Sequence, residues 1–575
     1  MSTLKKLVAL AASLGLTFAG LAPVSADDLN PIPVEFRERT LTAPWVDPAW
    51  DVSKLWITYG ALGGLRVMPG PAMVKNITTN RFCEAVDANC LKDGQSLWVG
   101  AYATFCQEKN QTPCIEKVEF RRSGDSQWTQ AEFINYFDTT PSDETLELFE
   151  KGRELDPFEG KVRSISKLKR WSPDVKSGLL GSAPGPALVR AVGFESLSGH
   201  DTYLIEPYFV QFLTNMRMGK PESINWDTFF VNARPIAEVK SNAAHVGVEF
   251  IKQIENGEYR HSGAGVGGHR GEYFAVDGRY AFAAGWDPEV EMQISIRVPA
   301  ELGGWFHSRM SGPNLSLKGV SKGVNLLTVS GASTNVPITY TAVRAFLPEN
   351  KKYLDAAFGQ DQYFKDTARA NEAKGQGGLA GGSWDPNNGT ADFELWFSQL
   401  DRRAKGNLSA WSIAKMPTQR LGDNRCMNKT DRVQGLINTN AMVYQSLIPE
   451  YKNGFLNYQV MGVHYDLNGE VFRGEYDLIM RSDAARCLYG FAKAPVSGKV
   501  TVVDSSGDTE VSTTTIGEKN GWLRLSAKNF TFSKKTIKVK LTQKKKTTIT
   551  CVAPGKKVKK VTAANPKCPK GFKRR

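Results

Sequence analysis

The chain has 575 residues, with 73 Lys or Arg against 59 Asp or Glu and a formal net charge of +14. The imbalance is local: Ser533–Arg575 holds sixteen basic residues and no acid, which leaves 57 bases against 59 acids, a net of −2, for residues 1–532. This excludes reading the whole chain as a polycation, and with no nucleic-acid motif present it excludes a nucleic-acid partner.

Met1–Ala26 has the three parts of an export signal: Lys5 and Lys6, the apolar run Leu7–Ala22, and the small residues Val24-Ser25-Ala26 ahead of Asp27-Asp28. Cleavage after Ala26 and a secreted or cell-surface location are expected. No later stretch reaches the ~18 apolar residues of a second span, so no transmembrane segment is expected after cleavage. Eight cysteines follow, an even number that in an exported chain reads as four disulfides. Cys83, Cys90, Cys106 and Cys114 form one cluster, whose connectivity has three possibilities. Cys426 with Cys487 and Cys551 with Cys568 make two further groups. The paired C-x₂-C spacing of a zinc site is absent, so no metal and no cofactor are expected.

The dominant local signal is β. Glu289–Val298 alternates strictly, with Val290, Met292, Ile294, Ile296 and Val298 on one face. Asn-Gly recurs at Asn256, Asn388, Asn453, Asn468 and Asn520, and Asp-Gly at Asp93 and Asp277, supplying the positive φ of two-residue hairpins. Asn468-Gly469, between two runs of strand formers, is expected to close one such hairpin. Helices are expected only at about 140–155, after the Thr140-Pro141-Ser142-Asp143 start, and at about 349–370. The expected fold is mainly β with a few helices, as several β-sandwich-like, disulfide-stapled domains. The expected units are 27–275, 276–400 with a Gly-rich loop at 374–389, 405–545, and a tail at 546–575.

Signals of catalysis are weak. Gly263, Gly265 and Gly268 spell G-x-G-x-x-G, but strand-like sequence follows where a dinucleotide fold needs a helix. His261 and His269 flank that loop and lack a third metal ligand. No G-x-S-x-G or H-E-x-x-H occurs. His200, Asp201 and Glu206 make a conceivable polar group, or a simple turn at a strand edge. Asp385, Asn387, Asp392 and Glu394 loosely suggest a Ca²⁺ loop, against a plain Asn-Gly turn. Among thirteen Trp, Trp45, Trp50, Trp56, Trp305 and Trp411 are candidates for a sugar platform, against the core role usual for Trp.

In the C-terminal region Ile537, Val539 and Leu541 alternate with Lys538 and Lys540, a last strand with a basic outer face. Trp522–Ser526 and Lys499–Val503 are its candidate partners. Thr547–Val552 reads as another strand, with Lys556–Val561 returning and Cys551 bridged to Cys568. Such a loop contributes about 3 kcal/mol, which matters in a segment too small and charged for a core. The run ITCVAPGKKVKKVTAANPKCPKGFKRR, with the preceding Asp483–Gln543, resembles the C-terminal regions of exported, uncharacterised actinobacterial proteins. The resemblance covers only about 483–575 and implies a Gram-positive-type envelope setting, with no activity attached.

The residues expected to meet an anionic cell-wall polymer are Lys544, Lys545, Lys546, Lys556, Lys557, Lys559, Lys560, Lys567, Lys570, Lys573, Arg574 and Arg575. A clustered polycation attracts polyanions and releases their counterions. The expected function is a secreted cell-surface binding or structural protein held by this tail. The alternative is a secreted carbohydrate-active hydrolase or lectin-like glycan binder.

Overall fold

A computed structural model describes residues 55–60, 73–77, 81–83, 92–109, 111–137, 183–197, 199–218, 220–240, 272–274, 279–283, 285–343, 378–382, 402–404, 406–416, 424–429, 431–445, 447–491, 496–504, 509–510, 513–532, 534–543, 547–554, 557–563 and 566–575. The two expected helices, the His261–His269 loop and the Asp385–Glu394 segment lie outside these residues.

The fold is mainly β and built of several sheets, with one helix among the described residues. No described helix is long and apolar enough to cross a membrane. The largest sheet runs through Thr202–Arg217, Lys220–Lys240, Gly406–Lys415, Gly304–Arg309, Val433–Thr439, Arg473–Arg481, Trp522–Thr531 and Thr513–Lys519, each hydrogen-bonded to the next. Its two halves meet at one parallel pairing, Gly304–Arg309 with Val433–Thr439. Strands from either side of residue 275 share this sheet.

A second sheet covers one face, in the order Ser311–Ser321, Val324–Ala332, Val290–Pro299, Cys114–Arg122, Thr129–Gln130. The alternating run takes the place its pattern requires: Val290, Met292, Ile294, Ile296 and Val298 are all buried in the core between these sheets. A third sheet, Val443–Tyr444, Phe455–Met461, Lys534–Gln543, Val496–Asp504, Thr509–Glu510, packs on the other face of the C-terminal half. The central strands therefore bury both faces, and neighbouring residues serve opposite cores. Phe306, Leu436 and Ile479 point into one, and Trp305, Ile437 and Leu478 into the other.

Ile537, Val539 and Leu541 are buried as their alternation predicts, and Lys499–Val503 pairs beside them. Two details differ. Lys534–Gln543 is an inner strand of its sheet, with Phe455–Met461 on its other side. Trp522–Ser526 belongs to the central sheet and faces this strand across the core; an added Cβ at Gly498 would touch both Leu541 and Leu525. Asn468-Gly469 closes only a short hairpin, in which Tyr465 bridges Val471 antiparallel, Asp466 N–H donates to Glu470 O and Phe472 N–H to His464 O. The longer strands beyond it part. Phe455–Met461 joins the third sheet and Arg473–Arg481 the central one, so the connection is an arch between layers. Apolar residues on both strands fill the core between those layers, which a hairpin within one sheet could not achieve. Asn453-Gly454 and Asn520-Gly521 do close two-residue hairpins, with φ of 54° and 77° at the first and 52° and 78° at the second.

The helix Ser482–Tyr489 has no counterpart in the sequence reading. It ends at Gly490, whose φ of 66° suits the left-handed residue that terminates helices. Cys487 ties it to Cys426.

Candidate functional site

Three disulfides are formed: Cys106–Cys114, Cys426–Cys487 and Cys551–Cys568. The first leaves Cys83 and Cys90 as the other members of their cluster, and Cys90 lies outside the described residues. The third closes the C-terminal module. Thr547–Val552 pairs on one side with Val558–Ala563 and on the other with Lys573–Arg574. Cys551 is fully buried beneath this closure and sits between Lys559 and Arg574 in register. Lys560 stands opposite Thr550 and Lys573 opposite Val552.

Lys557, Lys559, Lys560, Lys567, Lys570, Lys573, Arg574 and Arg575 are all exposed. None of them pairs with a carboxylate among the described residues, as expected of a segment that contains no acid. Lys544, Lys545, Lys546 and Lys556 lie outside the described residues. The disulfide and the two ladders hold the chain so that positive charge projects from both faces of a small sheet. Fixed in this way, the backbone that carries the cations has little further entropy to lose on meeting a polyanion.

Two of the Trp candidates belong to the core. Trp305 and Trp411 are fully buried, and their indole N–H groups donate to Met427 O at 2.8 Å and Gly331 O at 2.9 Å. Neither offers a face to a sugar. Trp45 and Trp50 lie outside the described residues, as does the side chain of Trp56. His200 and Asp201 sit at the start of a strand, part-exposed, with the His200 amide N–H capped by Ser196 Oγ. That is a turn at a strand edge. Glu206 is buried four residues into that strand.

Two polar rows cross the central sheet, and the sequence reading missed both. On the face toward the second sheet, Ser308, Asn438, Asp477 and Ser526 are register partners on successive strands. Ser308 Oγ donates to Asn438 Oδ1 at 2.8 Å, and Asn438 Nδ2 donates to Asp477 Oδ2 at 2.9 Å. Burial raises the Asp477 pKa above the usual carboxylate range, opposed by the hydrogen bond from Asn438.

On the opposite face Glu206, Asn232, Ser412 and Arg309 are register partners in the same way. Arg309 is 2% exposed. Its Nη1 donates to the carbonyls of Thr439, at 2.9 Å, and Ala441, and its guanidinium carbon lies 4.5 Å from the centroid of the Tyr444 ring. His307, two residues earlier on the same face, stacks on that ring with centroids 4.8 Å apart. Tyr458 stands 6.3 Å from His307 and 5.4 Å from Tyr476. Burial, aided by the Arg309 charge, pushes the His307 imidazole down to about 3. The only signal in the sequence was the period-two spacing of Trp305, His307 and Arg309, which also fits an ordinary half-exposed strand.

Among the described residues no group of three or more His, Cys, Asp or Glu side chains is placed to hold a metal ion. Comparisons of the chain with protein-family models, with curated proteins and with solved structures find no match.

Proposed function

We propose that this is a secreted cell-surface binding or structural protein, retained on an anionic envelope polymer by its C-terminal module. The observation that carries the reading is the disulfide-closed sheet at 547–575, on which eight exposed Lys and Arg side chains stand without an acidic partner among the described residues. Binding through such a cluster releases counterions and weakens steeply with salt. The apolar cores of the β body give it a stable scaffold that does not depend on the tail.

The test is a salt wash of envelope-bearing cells, comparing the full chain with a form lacking 547–575. The full chain is expected in the wall fraction at low salt and in the wash at high salt. Association that survives the deletion, or that ignores salt, would sink the proposal.

A further inference from the structure

The Arg309 cluster is independent of the basic tail and carries its own inference. A guanidinium remains charged at every physiological pH, and a buried charge without compensation costs several kcal/mol. Arg309 nevertheless has no carboxylate partner among the described residues, and its Nε and Nη2 have no hydrogen-bond partner there. The position of these two atoms matters more than their number. Nη1 is engaged by two backbone carbonyls, so the edge left over is the Nε–Nη2 side. That edge presents two parallel N–H donors, the fork that matches both oxygens of a carboxylate.

The surroundings repeat the pattern. His307 Nε2 and the Tyr476 hydroxyl are also buried and unpartnered among the described residues. Tyr444 and Tyr458 supply aromatic walls around Arg309 and His307, and Tyr476, on the same face of the central sheet, stands next to Tyr458. Arg309 is held from both sides: its guanidinium lies over Tyr444, and its Nη1 is fixed to Thr439 and Ala441. His307 is partly buried as a residue while its Nε2 is enclosed, so of these side chains it lies nearest the surface. The other polar row shows the contrast, since there Asn438 uses both ends of its amide on Ser308, Met310 and Asp477.

We infer that the Arg309–His307–Tyr476 cluster is a binding site for a small carboxylate, received bidentately on the Nε–Nη2 edge of Arg309 with Tyr476 as a further donor. The neutral imidazole of His307 can donate from Nε2 in the matching tautomer, and it lines the way in.

The test uses the full chain, dialysed into chloride buffer and titrated calorimetrically with sodium acetate and with sodium formate at constant ionic strength. Saturable binding of one anion per chain is expected, together with a rise in Tm of about 2 °C near ten times the dissociation constant. Arg309→Met, which keeps the volume, is expected to weaken binding at least tenfold. Tyr476→Phe removes only a hydroxyl without a protein partner; it is expected to keep the Tm in chloride and to weaken acetate binding about threefold to tenfold. This second variant decides the matter if Arg309→Met does not fold. No saturable binding, equal response to chloride and acetate, or unchanged affinity in Tyr476→Phe would each overturn the inference.

Discussion

The C-terminal module and the Arg309 cluster place the same kind of charge in opposite surroundings. In the module eight cations stand in solvent on a sheet that has almost no core, and one disulfide holds it. At the centre of the body one cation is enclosed, propped on backbone carbonyls and an aromatic face. The exposed charges add little to stability, because water and salt screen them. The enclosed charge is tied to the fold itself, since the chain must close around it. Exposed cations therefore define what the surface attracts, while a buried cation defines what the interior must contain.

The largest test of this contrast is Arg309→Ala. It leaves a hole and strips two buried carbonyls of their donor, so a loss of about 3–5 kcal/mol is expected in urea denaturation. Next is the double substitution Cys551→Ser with Cys568→Ser. Its effect, about 3 kcal/mol, is expected within the module. Limited proteolysis should then cut after residue 546 while the body keeps its unfolding midpoint. A fall in the body's midpoint would show that the module is coupled to the fold.

A smaller effect appears in mild acid, about 2 kcal/mol by pH 5. The folded chain keeps His307 neutral down to about pH 3, whereas the unfolded imidazole takes its proton near about 6.5. The unfolded state thus binds the proton first, and stability falls as the pH drops from about 6.5 toward 3, by up to about 1.4 kcal/mol per pH unit. His307→Gln is expected to flatten that decline. Asp477 acts in the opposite sense: its raised pKa means that the folded chain protonates first and gains stability as the pH falls through that value. Asp477→Asn therefore sharpens the decline that His307 causes. The smallest change is expected from Lys559→Ala with Arg574→Ala, within about 0.5 kcal/mol on denaturation despite two lost charges. If this pair proves as costly as Arg309→Ala, the contrast fails.

The parts of the fold that could be read from sequence are those set by local pattern. The alternation of Val290 to Val298 and of Ile537 to Leu541 fixed which side chains face a core, and both faces are as expected. The strands of the tail and its disulfide followed from spacing and charge. What failed was partner choice. Cys114–Arg122 pairs with Val290–Pro299 across a long stretch of sequence, and no residue on either strand names the other. Asn468-Gly469 closes a short hairpin as expected, yet the longer strands beyond it part, because each has an apolar face to bury in a different layer. The Arg309 cluster was hidden for the same reason. Its members come from Gly304–Arg309, Val443–Tyr444, Phe455–Met461 and Arg473–Arg481, and only the stacking of two sheets brings them together.

The inner position of Lys534–Gln543 has a mechanical consequence. This strand lies directly before the C-terminal module; Val496–Asp504 pairs with it over Lys535–Gln543 and Phe455–Met461 over Lys534–Val539, both antiparallel. A pull on the C-terminus directed along the strand axis loads the hydrogen bonds of both ladders together in shear. An edge strand pulled along the same axis would have a single ladder to resist it. Along that axis the last strand of the body is therefore held by two ladders over most of its length.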